Sequence, residues 1–272
     1  DSAAILRQIL QIGEVPLPDY RVWRTQVQRV EPLLCLNRFG IETEPGIVVP
    51  LKQLTPSQRF QLRSKPRAIL FIPHLSTSPE LKELGFQPDG KTDFFCLEVR
   101  GIGESRPAEC NIRENDFFCS YGSDFLYASC AHLLNRPYLG RKVYDILAAV
   151  RLLKKQGAEE IHLIGNGQGS IAAALAAVLS PDVKQVTLYH APLSWRQMVN
   201  SRVVRWPFSA MPHGILRKID LPDVYRDLRS KNIRLIAPWD AAMRPCPPRQ
   251  LSAAVRQYRI PCPVLPTAGT PE

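Results

Sequence analysis

The stretch Leu163-Ile164-Gly165-Asn166-Gly167-Gln168-Gly169-Ser170-Ile171 sets three glycines at alternate positions between an apolar run and an alanine-rich segment. A chain that turns from strand to helix within two residues is crowded, so the residues two before and two after the apex must be small. Gly165 and Gly169 meet that demand around Gly167. A side chain at position 167 would stand over the positive end of the following helix, a place suited to a nucleophile whose reaction passes through an oxyanion. Glycine supplies no such group. The remaining residues able to do chemistry sit where apolar runs end: His74, Arg100, His190 and Asp240. Each also has an ordinary structural use. His74 either polarises a ligand or anchors its loop, and His190 is either a relocated base or a strand-end hydrogen-bonding group. Asp240 is an acid partner or a loop brace, and Arg100 binds a carboxylate or braces its own loop. Ser170 falls in the first helical turn, where serine caps, although it is also a candidate displaced nucleophile. His162 lies inside an apolar run and reads as a core histidine.

The elements that must position these residues alternate from residue 66 onward. Ala68–Ile72, Phe94–Val99, Ile161–Ile164, Val186–Tyr189 and Ile233–Ile236 are short, continuously apolar runs, as expected of strands buried on both faces of a parallel sheet. Between them, Val143, Ile146, Leu147 and Val150 repeat at helical spacing, with Lys154 and Lys155 closing the helix near Gly157. Ile171–Leu179 is a second helix, stopped by Pro181. This alternation predicts an α/β fold, a doubly wound and mostly parallel sheet with its chemistry at the carboxyl ends of the strands. Residues 1–65 differ: a short helix near Ala3–Ile12 precedes antiparallel strands around a turn at Glu44-Pro45-Gly46. Residues 195–225, with Trp195, Trp206 and Phe208, form an insertion placed to cap the strand ends. The whole of 1–272 is expected to be one domain.

Composition narrows the function classes. The chain has 272 residues, 45% of them hydrophobic, enough for one large core. No apolar run reaches the roughly 20 residues that span a bilayer. The formal charge of +10 suits an anionic partner or plain solubility. The basic residues are scattered, Arg151, Lys154 and Lys155 reading as one wet helix face, and no motif for specific nucleic-acid recognition accompanies them. Seven cysteines without a CxxC pair make neither a disulfide scaffold nor a zinc site. Cys110, Cys119 and Cys130 are candidates for one bridge, whereas Cys35 and Cys96, in apolar runs, are expected to be buried thiols. No metal and no cofactor is expected.

The turn resembles the G-x-S-x-G nucleophile elbow of α/β-hydrolases, with Gly167 in place of the serine. Further matches follow in the family's order over roughly residues 40 to 245. Glu44–Pro50 resembles the N-terminal hairpin of secreted acetyl xylan esterase-like and dienelactone hydrolase-like members, and Arg100-Gly101-Ile102-Gly103-Glu104-Ser105 resembles their R-G-x-G-x-S loop. Pro73-His74-Leu75 stands at the oxyanion loop. The resemblance implies that the N–H groups of Leu75 and Gln168 form the oxyanion hole and that Asp240 is the triad acid. It implies a small ester, carboxylate or acetylated carbohydrate as ligand and a secreted or periplasmic location.

The departures are equally specific. The family's base is a histidine after the last strand, but the last histidine here is His213. Losing the serine alone removes about six orders of magnitude from a serine hydrolase. The expectation is an esterase-like domain without catalytic machinery, serving in binding or structure, alone or within a longer multidomain protein. The alternative is an active esterase altered at one residue and truncated before its histidine. A further alternative is dinucleotide binding, since Gly165-x-Gly167-x-x-Ser170 is one residue from G-x-G-x-x-G/A. The acidic residue that would hold the ribose is missing where the next run ends in Leu188-Tyr189-His190-Ala191.

Overall fold

The computed structural model describes residues 2–31, 34–83, 90–107 and 121–266, without the side chains of 24–34. The chain opens with α1 (Ser2–Leu10), whose Leu6 and Leu10 are fully buried. Strands β1 (Asp19–Glu31), β2 (Leu34–Glu44) and β3 (Ile47–Thr55) follow, antiparallel to one another. The turn between β2 and β3 needs Gly46, at φ +78, and its N–H is held by the Glu42 carboxylate at 2.9 Å. Next come β4 (Arg67–Ile72), α2 (Thr77–Glu83), β5 (Asp93–Leu97), α3 (Asp124–Leu133) and α4 (Tyr138–Lys155). The apolar run expected to reach Val99 leaves the strand at Leu97, and Glu98, the next residue, pairs its carboxylate with Lys52 at 2.8 Å. Then follow β6 (Glu160–Asn166), α5 (Gln168–Leu179), β7 (Val183–Tyr189), α6 (Trp195–Val199), α7 (Leu221–Asp227), β8 (Arg234–Ile236), α8 (Pro248–Gln257) and β9 (Val264–Leu265).

Among the described residues these strands make one sheet in the order β1-β2-β3-β5-β4-β6-β7-β8-β9. From β5 to β9 every pairing is parallel, whereas β3 meets β5 antiparallel. Successive side chains of a strand point to opposite faces, and the core divides accordingly. Leu70, Ile72 and Leu163 face a large cluster with α1, α4, α5 and α7, while Phe71, Phe94, Cys96 and Ile164 face a smaller one against Leu81 of α2. The order reverses around β4, which has β5 on one side and β6 on the other, so a crevice opens at its carboxyl end.

The segment 195–225 is tied into the core. Trp195 and Trp206 are buried; their indole N–H groups donate to the carbonyls of Ala210 (2.9 Å) and Asp240 (3.0 Å). Of the cysteines, Cys96 is fully buried, but Cys35 is only half-buried, correcting the expectation of a core thiol. Its side chain lies at a strand end near the Pro56 carbonyl rather than inside the sheet. Cys130 is an exposed free thiol on α3, and Cys110 and Cys119 lie outside the described residues.

Candidate functional site

Strand β6 delivers the chain to Gly167, which adopts φ +50 and ψ −121, a conformation costly for any residue with a Cβ. The three glycines of the turn are required for different reasons. A Cβ on Gly165 would lie 2.6 Å from the Ser170 Cα, and one on Gly169 would lie 2.4 Å from the Ile72 carbonyl oxygen. Those obstacles are backbone, so the close approach of β4, β6 and α5 dictates both residues. A Cβ on Gly167 meets a side chain instead: the His74 ring, with Nδ1 at 2.3 Å and Cγ at 2.6 Å. The imidazole occupies the space that a nucleophile would fill.

Three layers of hydrogen bonds hold His74 there. Its Nδ1 accepts from the Gln168 backbone N–H at 3.0 Å, and its carbonyl accepts from the Gln168 side-chain amide at 2.6 Å. The backbone N–H groups of His74, Leu75 and Ser76 all donate to the Glu80 carboxylate, at 2.6, 2.6 and 3.0 Å. Glu80 also accepts from Asn166 Nδ2 at 2.8 Å. Burial raises the Glu80 pKa, and the four donors only partly offset this. Behind Gln168, the buried Lys142 donates to its side-chain oxygen (3.2 Å), to Asp124 (2.9 Å) and to Ser209 (3.1 Å). Burial, reinforced by the nearby His190 and Lys142, pulls His74 down to about 4. The ring is therefore neutral at pH 7, with Nδ1 as acceptor and its proton on Nε2.

His190 follows β7 at φ +55, an uncommon conformation for a residue other than glycine, fixed by its N–H donating to the Ile236 carbonyl at 2.9 Å. Asn166 spends its amide N–H on Glu80, so its oxygen accepts from His190 Nδ1 at 2.7 Å. This leaves His190 Nε2 with a lone pair, and burial lowers the ring's pKa. The ring stacks on Trp239, with centroids 4.4 Å apart and planes at 16°. His74 meets the same indole edge-on at 5.5 Å and Tyr121 at 5.8 Å.

The two N–H groups expected to form an oxyanion hole, those of Leu75 and Gln168, are thus taken by Glu80 and by His74. Asp240 turns into its own loop, accepting from the N–H groups of Ala242 (2.8 Å) and Arg244 (2.9 Å) and from the Arg244 guanidinium. Among the described residues no histidine touches its carboxylate. Arg100 binds Asp145 at 2.5 Å and Glu44 at 2.7 Å, and its contacts brace the hairpin against α4. Ser170 is fully buried, its hydroxyl donating to the Gly167 carbonyl at 2.6 Å. His162 shares a 2.9 Å hydrogen bond with Thr187, and burial pulls it to about 4. The structure therefore gathers His74, Leu75, Gln168 and His190 around Gly167, and directs Arg100 and the Asp240 carboxylate elsewhere. Glu80, Asn166, Lys142 and Trp239 complete the site without any spacing signal in the sequence.

No family model matches the sequence, and no curated protein matches it either. Solved structures do resemble it in shape. A protein of Bacteroides fragilis, provisionally described as an acetyl xylan esterase, superposes with a TM-score of 0.65 at 16% identity, over 97% of this chain and 72% of that one. Acetyl xylan esterase 1 of a Thermoanaerobacterium species gives 0.56 at 13% identity, covering 99% of this chain and 87% of its own. The acetyl xylan esterase of a Paenibacillus species gives 0.52 at 15% identity, covering 97% and 85%. At such identities the likeness is one of architecture. With its antiparallel start, its parallel sheet and its glycine-bounded turn after β6, the chain has the α/β-hydrolase fold.

Proposed function

We propose that this chain is an esterase-like α/β-hydrolase domain that binds but does not hydrolyse, with residues 1–272 forming one domain and 195–225 its cap insertion. One observation carries the reading: the His74 imidazole fills the nucleophile's place, 2.3 Å from where a Cβ on Gly167 would stand. An esterase altered only at position 167 would keep a space the size of a serine side chain, whereas here the ring is hydrogen-bonded into that space through Gln168. Small carboxylates are poor ligands for the turn, since the N–H groups that would receive them already serve Glu80 and His74. What the site offers is the neutral pair of His74 Nε2–H as donor and His190 Nε2 as acceptor beside Trp239. That pair suits an uncharged ester or acetylated sugar, the ligand class in keeping with the esterase neighbours. The test is hydrolysis of p-nitrophenyl acetate together with labelling by a serine-directed phosphonate. The expected result is neither saturable turnover nor labelling. Saturable turnover abolished by the phosphonate would refute the proposal.

A further inference from the structure

A cleft of about 580 Å³ lies between the β2–β3 turn and helices α3 and α4, lined by none of the groups around Gly167. Three guanidiniums converge in it on one carboxylate: Glu44 accepts from Arg100 at 2.7 Å, Arg136 at 2.6 Å and Arg141 at 3.2 Å. Arg100 has a second partner in Asp145, which is fully buried. Among the described residues three cations therefore share two carboxylates; Arg141 also donates to the Gln11 carbonyl and lies over the Tyr144 ring, so Arg136 is the least-served of the three. Arg141 is only 8% exposed, yet its Nε has no hydrogen-bond partner among the described residues. A buried N–H without an acceptor costs about 1–3 kcal/mol, so native structures seldom keep one without a reason. Burial, opposed by Glu44 but helped by repulsion from Arg136 and Arg100, lowers the Arg141 pKa. Among the described residues Arg136 makes a single ion pair, and its side chain is 55% exposed.

Aromatic and apolar side chains form the rest of the cleft wall. Tyr127 stacks on Tyr138, with centroids 5.8 Å apart and planes at 25°, and Leu134 and Ile47 border the opening. Leu134 and Tyr127 are exposed large hydrophobic residues lining the same cleft as Arg136. We propose that this cleft binds a small monocarboxylate with an aryl or short alkyl body, its oxygens taken by the exposed Arg136 guanidinium within the positive field of Arg141 and Arg100, and its body laid on Tyr127 and Leu134. Guanidinium matches carboxylate in geometry and charge, and the aromatic wall selects against bare anions.

Benzoate is the probe, titrated into the full chain by calorimetry, with benzamide as the uncharged comparator and acetate as the anion without a body. Benzoate should bind saturably, and Arg136→Gln, on an exposed side chain, should weaken it about tenfold, the loss of one charge-assisted hydrogen bond. Cys130 lines the same cleft as an exposed free thiol and reports the location. Bound benzoate should slow its alkylation by iodoacetamide, read by peptide mass spectrometry, in the wild-type chain and independently of any variant. Absence of saturable binding, an unprotected Cys130 or unchanged affinity in Arg136→Gln would overturn the proposal. Benzamide or acetate binding as well as benzoate would overturn it too, by removing the role of the charge or of the wall.

Discussion

Replacing Gly167 by serine restores the family's residue and should nevertheless damage this protein. The new Cβ would sit 2.3 Å from His74 Nδ1, where ordinary contact begins at 3.4 Å, so the ring must retreat by about 1 Å. That retreat breaks its hydrogen bond with the Gln168 N–H and leaves a buried donor unpaired, at about 1–3 kcal/mol. Overpacking adds about 1–3 kcal/mol, and a side chain at φ +50 and ψ −121 carries a similar strain. Because these terms overlap, the expected loss is about 4 kcal/mol, roughly a 10 °C fall in Tm for a chain of this size. Urea denaturation of Gly167→Ser, Gly167→Ala, His74→Ala and the double variant His74→Ala/Gly167→Ser measures it. Serine and alanine should cost nearly the same, since the clash begins at Cβ. The double variant should be more stable than the sum of its parts by at least about 1 kcal/mol, because deleting the ring removes the clash. Gly167→Ser should hydrolyse p-nitrophenyl acetate no faster than Gly167→Ala, since burial pulls the neighbouring His74 to about 4, a weak base for the serine proton, and the Leu75 N–H of the oxyanion site serves Glu80. A Gly167→Ser protein within about 0.5 kcal/mol of wild type would refute the steric reasoning. Turnover a hundredfold above the alanine control would refute the functional one.

The buried histidines should make the fold acid-sensitive. His74 and His162 have folded pKa values near 4 against 6.5 when free, so between these values the unfolded chain binds more protons. Their stabilising contribution is complete above pH 6.5 and is lost as pH falls toward 4, at up to about 3 kcal/mol each. Urea midpoints should fall from pH 7 to pH 5, and His162→Gln should flatten that slope. Lys142→Met should cost about 3–5 kcal/mol by leaving Asp124 buried without its cation, and adding Asp124→Leu should recover part of the loss by chemical denaturation.

The sequence by itself determined the architecture and the turn. Five apolar runs located β4 to β8, and the helical repeat of Val143, Ile146, Leu147 and Val150 located α4, because burial imposes a period that needs no knowledge of partners. The spacing of Gly165 and Gly169 marked the tight turn after β6, since only backbone crowding between neighbouring elements is at stake there. The occupant of the space above Gly167 was another matter. His74 is 93 positions away in the chain, and its ring reaches the turn only because β4 lies beside β6 and Glu80 gathers three successive N–H groups of its loop. Glu80 gave no signal, being an ordinary acid on a short helix, and neither did Lys142, a cation on a helix whose other basic residues are mostly wet. Asp240 shows the reverse case: its place after a strand suited a triad acid, but the loop that follows folds back and claims the carboxylate. Periodicity is a property of the local chain and can be read from it, whereas the direction of a polar side chain is settled by whichever distant donor or acceptor the finished sheet brings within about 3 Å.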